Sequence, residues 1–373
     1  MIKDLAVPIT AFIISFVVVI LLHPMLVRLA LKRDIVDKPN ARRLNRTPIP
    51  VLGGIGVFAG FATSLVFSAT SQSIDISYIS LVAVGIMLIV GLIDDIKDLM
   101  PKTKFMAQII IIVALIFICD MKIDNLHGVF GIYEIPNYIS VPLTIFSCVG
   151  LINSINLIDG IDGLSSGYAI AASVIFLIFG YAQNNPANIL VACSIIGALI
   201  PFFVFNVFGK KNKMFIGDSG SHSLGLIFCI ITLGIINSST GAETKINNSV
   251  IPFCLAVMAH PVMDTLRVMT MRIINGNSPF KADKTHLHHA IISTGASHLL
   301  TTTIIIILNM AVILTWYATF VNGMTATVQL IATLCSGIVF IVLPYYLITK
   351  FSKKELQIKQ EQAANPESKR QTA

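Results

Sequence analysis

Charged residues are scarce in this sequence. Only 12% of its 373 residues are Asp, Glu, Lys or Arg, whereas 55% are hydrophobic, and a soluble domain carries about 25% charged residues. The mean hydropathy of +0.83 points the same way. This composition excludes a soluble protein with a large apolar core. It predicts an integral membrane protein that has the lipid bilayer as its partner.

Paired cysteines are also missing, and no cleavable leader is predicted. The six cysteines lie singly in or beside apolar runs and form no CxxC, so neither a disulfide framework nor a thiolate metal site is expected. The first apolar run continues to Leu31 without a small-residue cleavage site, which is unlike a signal peptide. The net charge of +7 has a better explanation in membrane topology than in nucleic-acid binding, and no nucleic-acid partner is predicted.

Long apolar runs are what the sequence has in abundance. A membrane-spanning helix needs about 20 predominantly apolar residues. We therefore predict an all-α polytopic membrane protein with about eleven transmembrane helices. The candidate runs cover approximately residues 8–30, 52–70, 76–93, 105–119, 138–153, 165–182, 189–207, 221–237, 250–271, 301–320 and 326–349.

Lysine and arginine are distributed unevenly between alternate connections. With the N-terminus outside, 23 of the 26 fall on inner segments, and only Lys3, Lys122 and Lys245 on outer ones. Because positive residues collect on the cytoplasmic side, we predict an outside N-terminus and a cytoplasmic C-terminus. Residues 1–350 would form the membrane-embedded domain. Residues 351–373 are polar without an apolar period and would form a cytoplasmic tail.

One polar stretch, residues 151–167, separates two apolar runs. Its side chains Asn153, Asn156, Asp159 and Asp162 recur at every third position. Carboxylate and amide oxygens suit a hard cation such as Mg²⁺, and the glycines between them let a phosphate-bearing ligand approach the backbone. The alternative is a polar loop between membrane helices.

Further acids lie on predicted inner segments. Asp94 and Asp95 end an apolar run, where adjacent carboxylates are costly to desolvate and require a nearby cation. A solvated helix end with loop salt bridges is the alternative. Asp218 lies in the Gly-rich turn GDSGS at the start of a span, where backbone N–H groups face anions. That position suits a metal that bridges to phosphate.

Two basic segments complete the inner face. Residues 33–54 are rich in arginine, which indicates either phosphate binding or topology alone. Residues 267–292 contain His286, His288 and His289. These lack a thiol or a separated fourth ligand for zinc, so a phosphate-binding loop is favoured. In the same segment Asp264 and Arg267 are three residues apart, which is the spacing of a structural ion pair on a helix.

Acids, a hard metal and cationic side chains on one membrane face are typical of phosphoryl transfer. A site at the membrane surface implies one lipid substrate and one from the cytosol. The alternative from another class is a secondary transporter. Transporters keep ionisable residues near mid-membrane and often show internal repeats, and neither feature is evident in this sequence.

Four motifs, in chain order, resemble those of the polyprenyl-phosphate N-acetylhexosamine-1-phosphate transferase family. They are DD-x-x-D at 94–98, N-x-x-N-x-x-DG-x-DGL at 153–164, GD-x-GS at 217–221 and the histidines at 286–289. The resemblance implies transfer of N-acetylglucosamine 1-phosphate from UDP-GlcNAc to undecaprenyl phosphate, with release of UMP. This step would start a lipid-linked glycan of the O-antigen, common-antigen or teichoic-acid type.

The sugar is indicated by one segment. SPFKADKTHLHH, residues 278–289, is similar to the N-acetylglucosamine branch of the family. Phospho-MurNAc-pentapeptide, QuiNAc and GalNAc are the alternatives. The resemblance further implies a bacterial inner (plasma) membrane location with the active site on the cytoplasmic face, and it is compatible with a homodimer.

The resemblance also implies roles for individual residues. The catalytic carboxylates would be Asp94, Asp95 and Asp159, the first two near the lipid phosphate, and Asn156 and Asp218 would hold Mg²⁺ or Mn²⁺. Asp162 would lie near the uracil, and Arg272 and the histidines would cover the sugar nucleotide. The full substrate-binding set is Lys104, Asp162, Asn206, Arg272, His286, His288 and His289.

Asn206 departs from the family pattern. Relatives often carry Asn-x-x-Pro about ten residues before the GD-x-GS aspartate. Here Asn206 is followed by Val-Phe-Gly, and Asp218 comes 12 residues later. The motif alone therefore does not establish a role for Asn206 at the nucleotide.

Overall fold

The computed structural model describes residues 2–37, 48–72, 78–239, 246–280 and 283–351. These residues are mostly helical, in agreement with the predicted all-α class. The middle of the predicted basic segment, 38–47, and the predicted tail from 352 onward lie outside the described residues. The helices are α1 (Ile2–Lys32), α2 (Gly53–Gln72), α3 (Tyr78–Lys97), α4 (Pro101–Cys119), α5 (Asn137–Ile158), α6 (Leu164–Ala182), α7 (Pro186–Phe208), α8 (Gly217–Ser238), α9 (Val250–Val257), α10 (Ala259–Ile274), α11 (Leu287–Ser293), α12 (His298–Val321) and α13 (Ala326–Gly337).

The helices are those of a multi-pass membrane protein. Nine helices in the described part of the chain are long and apolar enough to cross a membrane, and the bent pair α9 and α10 would make a tenth span. Helix α2 adds a shorter apolar stretch, Gly53–Ser68. The count of eleven spans and the orientation of the termini remain predictions.

Helix α8 is the most enclosed of the candidate spans. Of its most apolar window, 83% is buried inside the protein, whereas the share is 28% for α1, α4 and α12. It packs mainly against α3 and α5, with further contacts to α2. Polar groups at the start of α8 are therefore surrounded by other helices on several sides.

The predicted span at 250–271 consists of two helices, α9 and α10, that meet at a bend of 60°. Pro261 explains the break, because it has no N–H to donate to the carbonyl of Val257 one turn earlier. That carbonyl instead accepts hydrogen bonds from the Tyr168 hydroxyl (2.6 Å) and from Nδ2 of Asn309 (3.2 Å). Two neighbouring helices thus satisfy the backbone group that the bend exposes.

Two short antiparallel strand pairs lie between helices, and the sequence prediction did not include them. β1 (Val36–Asp37) pairs with β2 (Ile49–Pro50) before α2, and β3 (Asn125–Val129) pairs with β4 (Ile132–Glu134) between α4 and α5. The turn between β3 and β4 contains Gly131 at φ +74°, a conformation that glycine adopts without strain.

The residues after β2 tie the start of α2 to the start of α8. Phe215 donates its N–H to the carbonyl of Pro50 at 2.8 Å, and its own carbonyl accepts the N–H of Gly53 at 3.0 Å. Gly54 donates to the carbonyl of Ile216 at 2.8 Å. Pro50, at the end of β2, and the two glycines that start α2 therefore fix the segment that leads into α8.

The last helix changes its winding partway. After α13 it continues through a π-helical segment, Ile338–Val342, and ends at Phe351. Gly337, just before this segment, lies so close to α10 that a Cβ there would collide with the side chain of Met263. The absence of a side chain at Gly337 lets the last helix approach α10.

Candidate active site

The start of α8 is held by a carboxylate from α3. Asp95 accepts hydrogen bonds from the backbone N–H of Asp218 (2.8 Å, to Oδ1) and of Ser219 (3.0 Å, to Oδ2). Gly217 precedes them at φ +73°, and a Cβ there would lie 2.6 Å from both Asp95 Oδ2 and the carbonyl of Val51. Two of the four N–H groups that a helix start leaves without partners are thus satisfied by Asp95, which also sets the direction of the Asp218 side chain.

The Asp218 carboxylate faces side chains from two other helices. Asn156, at the end of α5, donates from Nδ2 to Asp218 Oδ1 at 3.0 Å and to Ser221 Oγ at 2.8 Å. Lys104, near the start of α4, places Nζ 3.4 Å from Asp218 Oδ2. The Asp218 side chain is still 39% exposed. It is therefore ordered by its partners and remains open to a ligand.

Asp94 lies on the other side of Lys104. The Lys104 ammonium is in direct ion-pair contact with Asp94 Oδ2, and the N–H of Leu99 donates to Asp94 Oδ1 at 2.8 Å. Only 2% of the Asp94 side chain is exposed. Lys104 thus bridges two carboxylates, from α3 and α8, and the buried one fixes the position of its ammonium group.

Asp159 and Asp162 lie in the turn that joins α5 to α6. The Ser165 hydroxyl donates to Asp159 Oδ1. Burial raises the pKa of Asp159 to about 7 even though that hydrogen bond favours the ionised form. Asp162 Oδ2 lies 2.7 Å from Lys213 Nζ and 2.8 Å from His298 Nδ1. Burial raises the pKa of Asp162, but these two partners outweigh it and hold the pKa below its usual value.

Asn206 is fully engaged within the protein. Its Oδ1 accepts the N–H of Gly163 at 2.7 Å, and its Nδ2 donates to the carbonyl of Met214 at 2.9 Å. The side chain is 5% exposed. It therefore links the turn before α6 to the segment before α8. This agrees with the departure of Asn206 from the family pattern in the sequence.

Arg272 lies at the end of α10 and closes the loop that follows. It forms two hydrogen bonds to Asp283, from Nε and Nη2, each of 2.9 Å, and a third from Nη1 to the carbonyl of Pro279 at 2.7 Å. Burial raises the pKa of Asp283, but the guanidinium and Thr285 lower it well below its usual value. In this arrangement Arg272 contacts its own loop, and its part in binding substrate stays a prediction.

The histidine segment, residues 285–289, lies against the turn that contains Asp159 and Asp162. His288 is 1% exposed, and a Cβ on Gly160 would lie 2.5 Å from its Nε2. The ring of His289 is 4.2 Å from that of His288, centroid to centroid. Burial lowers the pKa of both histidines. A lowered pKa favours the neutral ring near neutral pH, and a neutral imidazole would meet a ligand by hydrogen bonding.

The structure brings together most of the predicted site residues. Asp94, Asp95, Lys104, Asn156 and Asp218 meet where α3, α4, α5 and α8 end or begin. The predicted ion pair between Asp264 and Arg267 on α10 is present as well. It contacts the histidine segment. The turn with Asp159 and Asp162 and the histidine segment form a second, adjoining group.

Sequence reasoning missed four polar residues at this site. Ser221 contacts Asn156, and His222 places Nδ1 2.8 Å from the carbonyl of Asp218. Lys213 and His298 flank Asp162. Ser221 belongs to GDSGS and was within reach of the motif. Lys213 is one of several cations on the predicted inner segments and no motif marks it, and nothing in the sequence connects His298 to a residue 136 positions earlier.

The donor atoms around Asp218 suit a hard divalent cation. Asp218 offers carboxylate oxygens and Ser221 a hydroxyl oxygen within one cluster, and Asn156, whose Nδ2 faces both, would add its amide oxygen if the side-chain amide turned over. Among the described residues, no three His, Cys, Asp or Glu side chains are grouped closely enough to hold a metal ion by themselves. Mg²⁺ usually takes one or two carboxylates and fills its other positions with water and substrate phosphates. The donor set therefore fits Mg²⁺ that is shared with a phosphate ligand.

Comparison with known proteins agrees with the motifs. The family model for glycosyl transferase family 4 matches residues 53–236, the part of the chain that carries all the residues around Asp218. The chain is 31% identical over 271 residues to the undecaprenyl-phosphate alpha-N-acetylglucosaminyl 1-phosphate transferase of Yersinia pestis. This alignment covers 72% of each chain.

Two further relatives extend this similarity. The probable undecaprenyl-phosphate N-acetylglucosaminyl 1-phosphate transferase of Bacillus subtilis (strain 168) is 27% identical over 344 residues, 91% of this chain and 90% of the relative. The Salmonella typhi protein, with the same name as the one from Yersinia, is 29% identical over 271 residues, 72% of each chain. The similarity to the Bacillus protein thus continues beyond the matched family region.

Proposed function

This chain belongs to glycosyl transferase family 4 and is a phosphoglycosyl transferase, and from that premise we propose that it transfers N-acetylglucosamine 1-phosphate from UDP-GlcNAc to undecaprenyl phosphate. UMP is the second product. The names of the Yersinia and Bacillus relatives support both the acceptor and the sugar. The segment at 278–289, which resembles the N-acetylglucosamine branch, supports the same sugar.

The contact between Asn156 and Asp218 carries the proposal. These residues are 62 positions apart on different helices, yet Nδ2 and Oδ1 are 3.0 Å apart. Lys104 from a third helix lies 3.4 Å from the same carboxylate. A cation site beside a fixed ammonium group, at the ends of membrane helices, is what transfer between two phosphate compounds requires.

The reaction exchanges one pyrophosphate bond for another. An oxygen of the lipid phosphate attacks the β-phosphorus of UDP-GlcNAc, and the bond from that phosphorus to the bridging oxygen breaks. The electron pair and the bridging oxygen leave with UMP. Because the anomeric C–O bond stays intact, the sugar keeps its configuration.

Asp94 has little need to act as a base in this scheme. The second pKa of a phosphate monoester is about 6, so the lipid phosphate is mostly dianionic at neutral pH. Asp94 is buried and contacts the Lys104 ammonium and the N–H of Leu99. We therefore assign Asp94 to holding Lys104, and Lys104 to contacting the attacking phosphate.

Asp218 and Asn156 are the residues that would hold Mg²⁺, with Mn²⁺ as the alternative. When bound there, such an ion would supply charge neutralisation of the pyrophosphate and would make UMP a better leaving group. Asp95 acts indirectly, because its bonds to the N–H groups of Asp218 and Ser219 hold the Asp218 side chain in place.

The turn with Asp159 and Asp162 and the adjoining histidine segment form the nucleotide-sugar end of the site in this proposal. His288 packs on Gly160, between the two acids. His286 and His288 carry ring nitrogens without a partner in the described part of the chain, and these can bond to the polar groups of a sugar nucleotide. Asp159, nearly half protonated near pH 7, can donate a hydrogen bond as well as accept one.

Substitution of Asp218 tests the proposal. Purified Asp218→Asn protein should release UMP from UDP-GlcNAc and undecaprenyl phosphate at least 100-fold more slowly than the parent, by loss of charge at the metal position. Asp120→Asn is the matched control, since Asp120 is an exposed acid at the far end of α4, and its rate should be unchanged. Near-normal turnover by Asp218→Asn would remove this residue from the site.

The substrate is decided by a panel of nucleotide sugars. The proposal expects labelled lipid product from UDP-GlcNAc and much less from UDP-GalNAc, UDP-QuiNAc or UDP-MurNAc-pentapeptide. A preference for one of the others would keep the chemistry and change the sugar. UMP release in detergent, without a closed compartment, would exclude a pure transporter. We also propose, from the cationic inner segments, that the site faces the cytoplasm at the bacterial inner membrane.

A further inference from the structure

A buried ion cluster connects the last helix to α10. The Arg267 guanidinium stacks on the ring of Tyr345, with Cζ 3.6 Å from the ring centroid. Nη2 of Arg267 also donates to Asp264 Oδ1 at 2.7 Å. Arg267 and Asp264 are 6% and 0% exposed. A desolvated guanidinium over an aromatic ring is a favourable arrangement, so Tyr345 contributes to the position of Arg267.

The same cluster holds the histidine segment. Asp264 Oδ2 lies 2.8 Å from His286 Nδ1, and Asp264 Oδ1 accepts the N–H of Leu287 at 3.2 Å. Arg267 Nη2 also donates to the carbonyl of Thr285 at 2.6 Å. Three consecutive residues of the segment, Thr285 to Leu287, are therefore bound to one ion pair. With Nδ1 facing Asp264, the imidazole of His286 has one fixed orientation.

The held segment faces the proposed nucleotide-sugar end. The rings of His286 and His288 stack with centroids 5.7 Å apart, and His288 packs on Gly160. His286 Nε2 and both ring nitrogens of His288 are buried and have no hydrogen-bond partner in the described part of the chain. Buried polar atoms without hydrogen-bond partners are unfavourable. A polar ligand at this position would satisfy them.

The winding of the last helix determines which side chain reaches Arg267. Tyr345 follows the π-helical segment Ile338–Val342 by three residues. A π-helical turn contains an extra residue, and each residue rotates a helix by about 100°. Without the extra residue, the side chains after the segment would face a different direction. Tyr345 is partly buried against Arg267, whereas its neighbour Tyr346 is 41% exposed.

We propose that Tyr345 is a positioning residue for the nucleotide sugar. Its ring fixes Arg267, Arg267 and Asp264 fix the histidine segment, and that segment presents His286 and His288 to the ligand. The inference rests on the proposed function, and it places a determinant of donor binding on the last helix, 109 residues beyond the end of the matched family region at 236. Tyr345 itself does not touch the donor.

Loss of the ring should loosen the histidine segment and leave the Asp94–Lys104–Asp218 cluster intact. The expected effect of Tyr345→Leu is an increase of about tenfold in KM for UDP-GlcNAc, which is less than the full worth of a desolvated cation–π contact because the effect reaches the donor only through Arg267 and the histidine segment. KM for the lipid phosphate should stay within about twofold of the parent. A general structural defect would instead lower kcat or the active fraction, with no selectivity between the two substrates.

Two variants serve as controls. Tyr345→Phe keeps the aromatic face and should restore the parent KM, because the Tyr345 hydroxyl has no part in the contact with Arg267. Tyr346→Leu removes the adjacent exposed ring and should leave both KM values unchanged. If Tyr345→Leu matches the parent, or if Tyr345→Phe is as impaired as Tyr345→Leu, the inference is wrong.

Hydrogen exchange gives a readout that does not depend on turnover. In detergent, peptides covering 283–293 should exchange faster in Tyr345→Leu than in the parent and in Tyr345→Phe, while peptides covering 94–104 should not change. Equal protection at 283–293 in all three proteins would overturn the inference. The proposed function fails separately, if the parent itself releases no UMP from UDP-GlcNAc.

Discussion

Asp94 and Asp95 are adjacent in the chain, yet their carboxylates have different partners. Asp94 contacts a lysine ammonium, whereas both oxygens of Asp95 accept backbone N–H groups from the start of α8. Successive residues of a helix point about 100° apart, so the two side chains face α4 and α8 respectively. The motif is therefore composed of one residue that orients a cation and one that orients a helix.

Substitution of Asp95 should destabilise the protein through α8. In Asp95→Asn only one oxygen can accept, so one buried N–H at the start of α8 loses its partner and the free energy of unfolding falls by about 1–3 kcal/mol. Thermal unfolding of detergent-purified protein measures this. Asp98→Asn changes an exposed acid of the same motif and should stay within about 0.5 kcal/mol. Equal stability of the two variants would contradict the assignment of Asp95.

Asp159 should make stability depend on pH. Its folded pKa of about 7 lies above the usual 3.8, so the folded protein retains a proton that the unfolded chain has lost. Stability from this group is then complete below about pH 4 and is lost as the pH rises through 7. The unfolding midpoint of the parent, relative to that of Asp159→Asn, should fall between pH 5 and 8. A constant difference across that range would show that Asp159 ionises normally.

The identities of the site residues could be predicted from the sequence, but several of their partners could not. Acidic and amide residues in motifs can be recognised from the sequence because membrane segments contain few of them. Asp95 binds backbone groups, which no motif reveals. Arg272 has the residue type of a phosphate ligand, but its guanidinium is bound to Asp283. Such pairings depend on distances between helices, and residue spacing along the chain does not contain them.

At the scale of elements, the site depends on how closely α3 approaches α8. A Cβ on Gly91 of α3 would lie 2.6 Å from the N atom of Ser219 and 2.7 Å from the carbonyl oxygen of Asp218. Those atoms belong to the first turn of α8, and backbone cannot move aside as a flexible side chain can. Gly91 is thus the position at which the two helices meet.

Replacement of Gly91 by alanine should displace the start of α8. We expect a loss of about 1–3 kcal/mol in stability from overpacking, with UMP release reduced at least tenfold because Asp218 moves with the helix. Gly85→Ala is the control on the same helix, since a Cβ there meets only the ring of Phe58, at 3.3 Å. Its stability should change by less than about 1 kcal/mol. Equal effects of Gly91→Ala and Gly85→Ala would show that the close contact of α3 with α8 at Gly91 does not determine the position of α8.

The bend between α9 and α10 provides another prediction. Asn309 accepts the N–H of His260 at 2.9 Å and donates to the carbonyl of Val257 at 3.2 Å. Asn309→Leu should therefore lower the free energy of unfolding by about 1–2 kcal/mol, the range of such bonds in membrane helices. Asn322→Leu, at the exposed end of the same helix, should cost less. Thermal unfolding of both variants measures the difference, and a larger loss in Asn322→Leu would refute the role of Asn309.

The helices themselves were largely predictable, because membrane segments must satisfy their backbone groups internally and be about 20 residues long. Helices α4 and α5 extend beyond the predicted apolar runs by Pro101–Lys104 and Ser154–Ile158, because an apolar window ends at polar residues such as Lys104 and Asn153. The division of 250–271 into two helices was not foreseen, although Pro261 was visible. Proline within a span is common, and only its neighbours decide whether the helix bends.

At the scale of the whole molecule, the site residues lie at one end of the bundle. The C-terminal ends of α3 and α5 and the N-terminal ends of α4 and α8 meet there. Lys97 ends α3 at this side, and Lys210 and Lys211 lie in the connection that leads into α8, whereas Lys122 follows the other end of α4. The distribution of positive charge therefore predicts the side of the membrane on which the site lies.

Cysteine labelling in intact bacterial cells checks this orientation. The background carries Cys119→Ser and Cys335→Ser, because the other four cysteines are buried in the fold. In that background Lys122→Cys should react with a membrane-impermeant maleimide from outside. Lys211→Cys, which is exposed in the structure, should react only after the inner membrane is opened.

Lys350→Cys, exposed at the end of the last helix, should behave like Lys211→Cys. Labelling of Lys211→Cys in intact cells would place the Asp218 cluster outside, where no cytosolic nucleotide sugar could reach it.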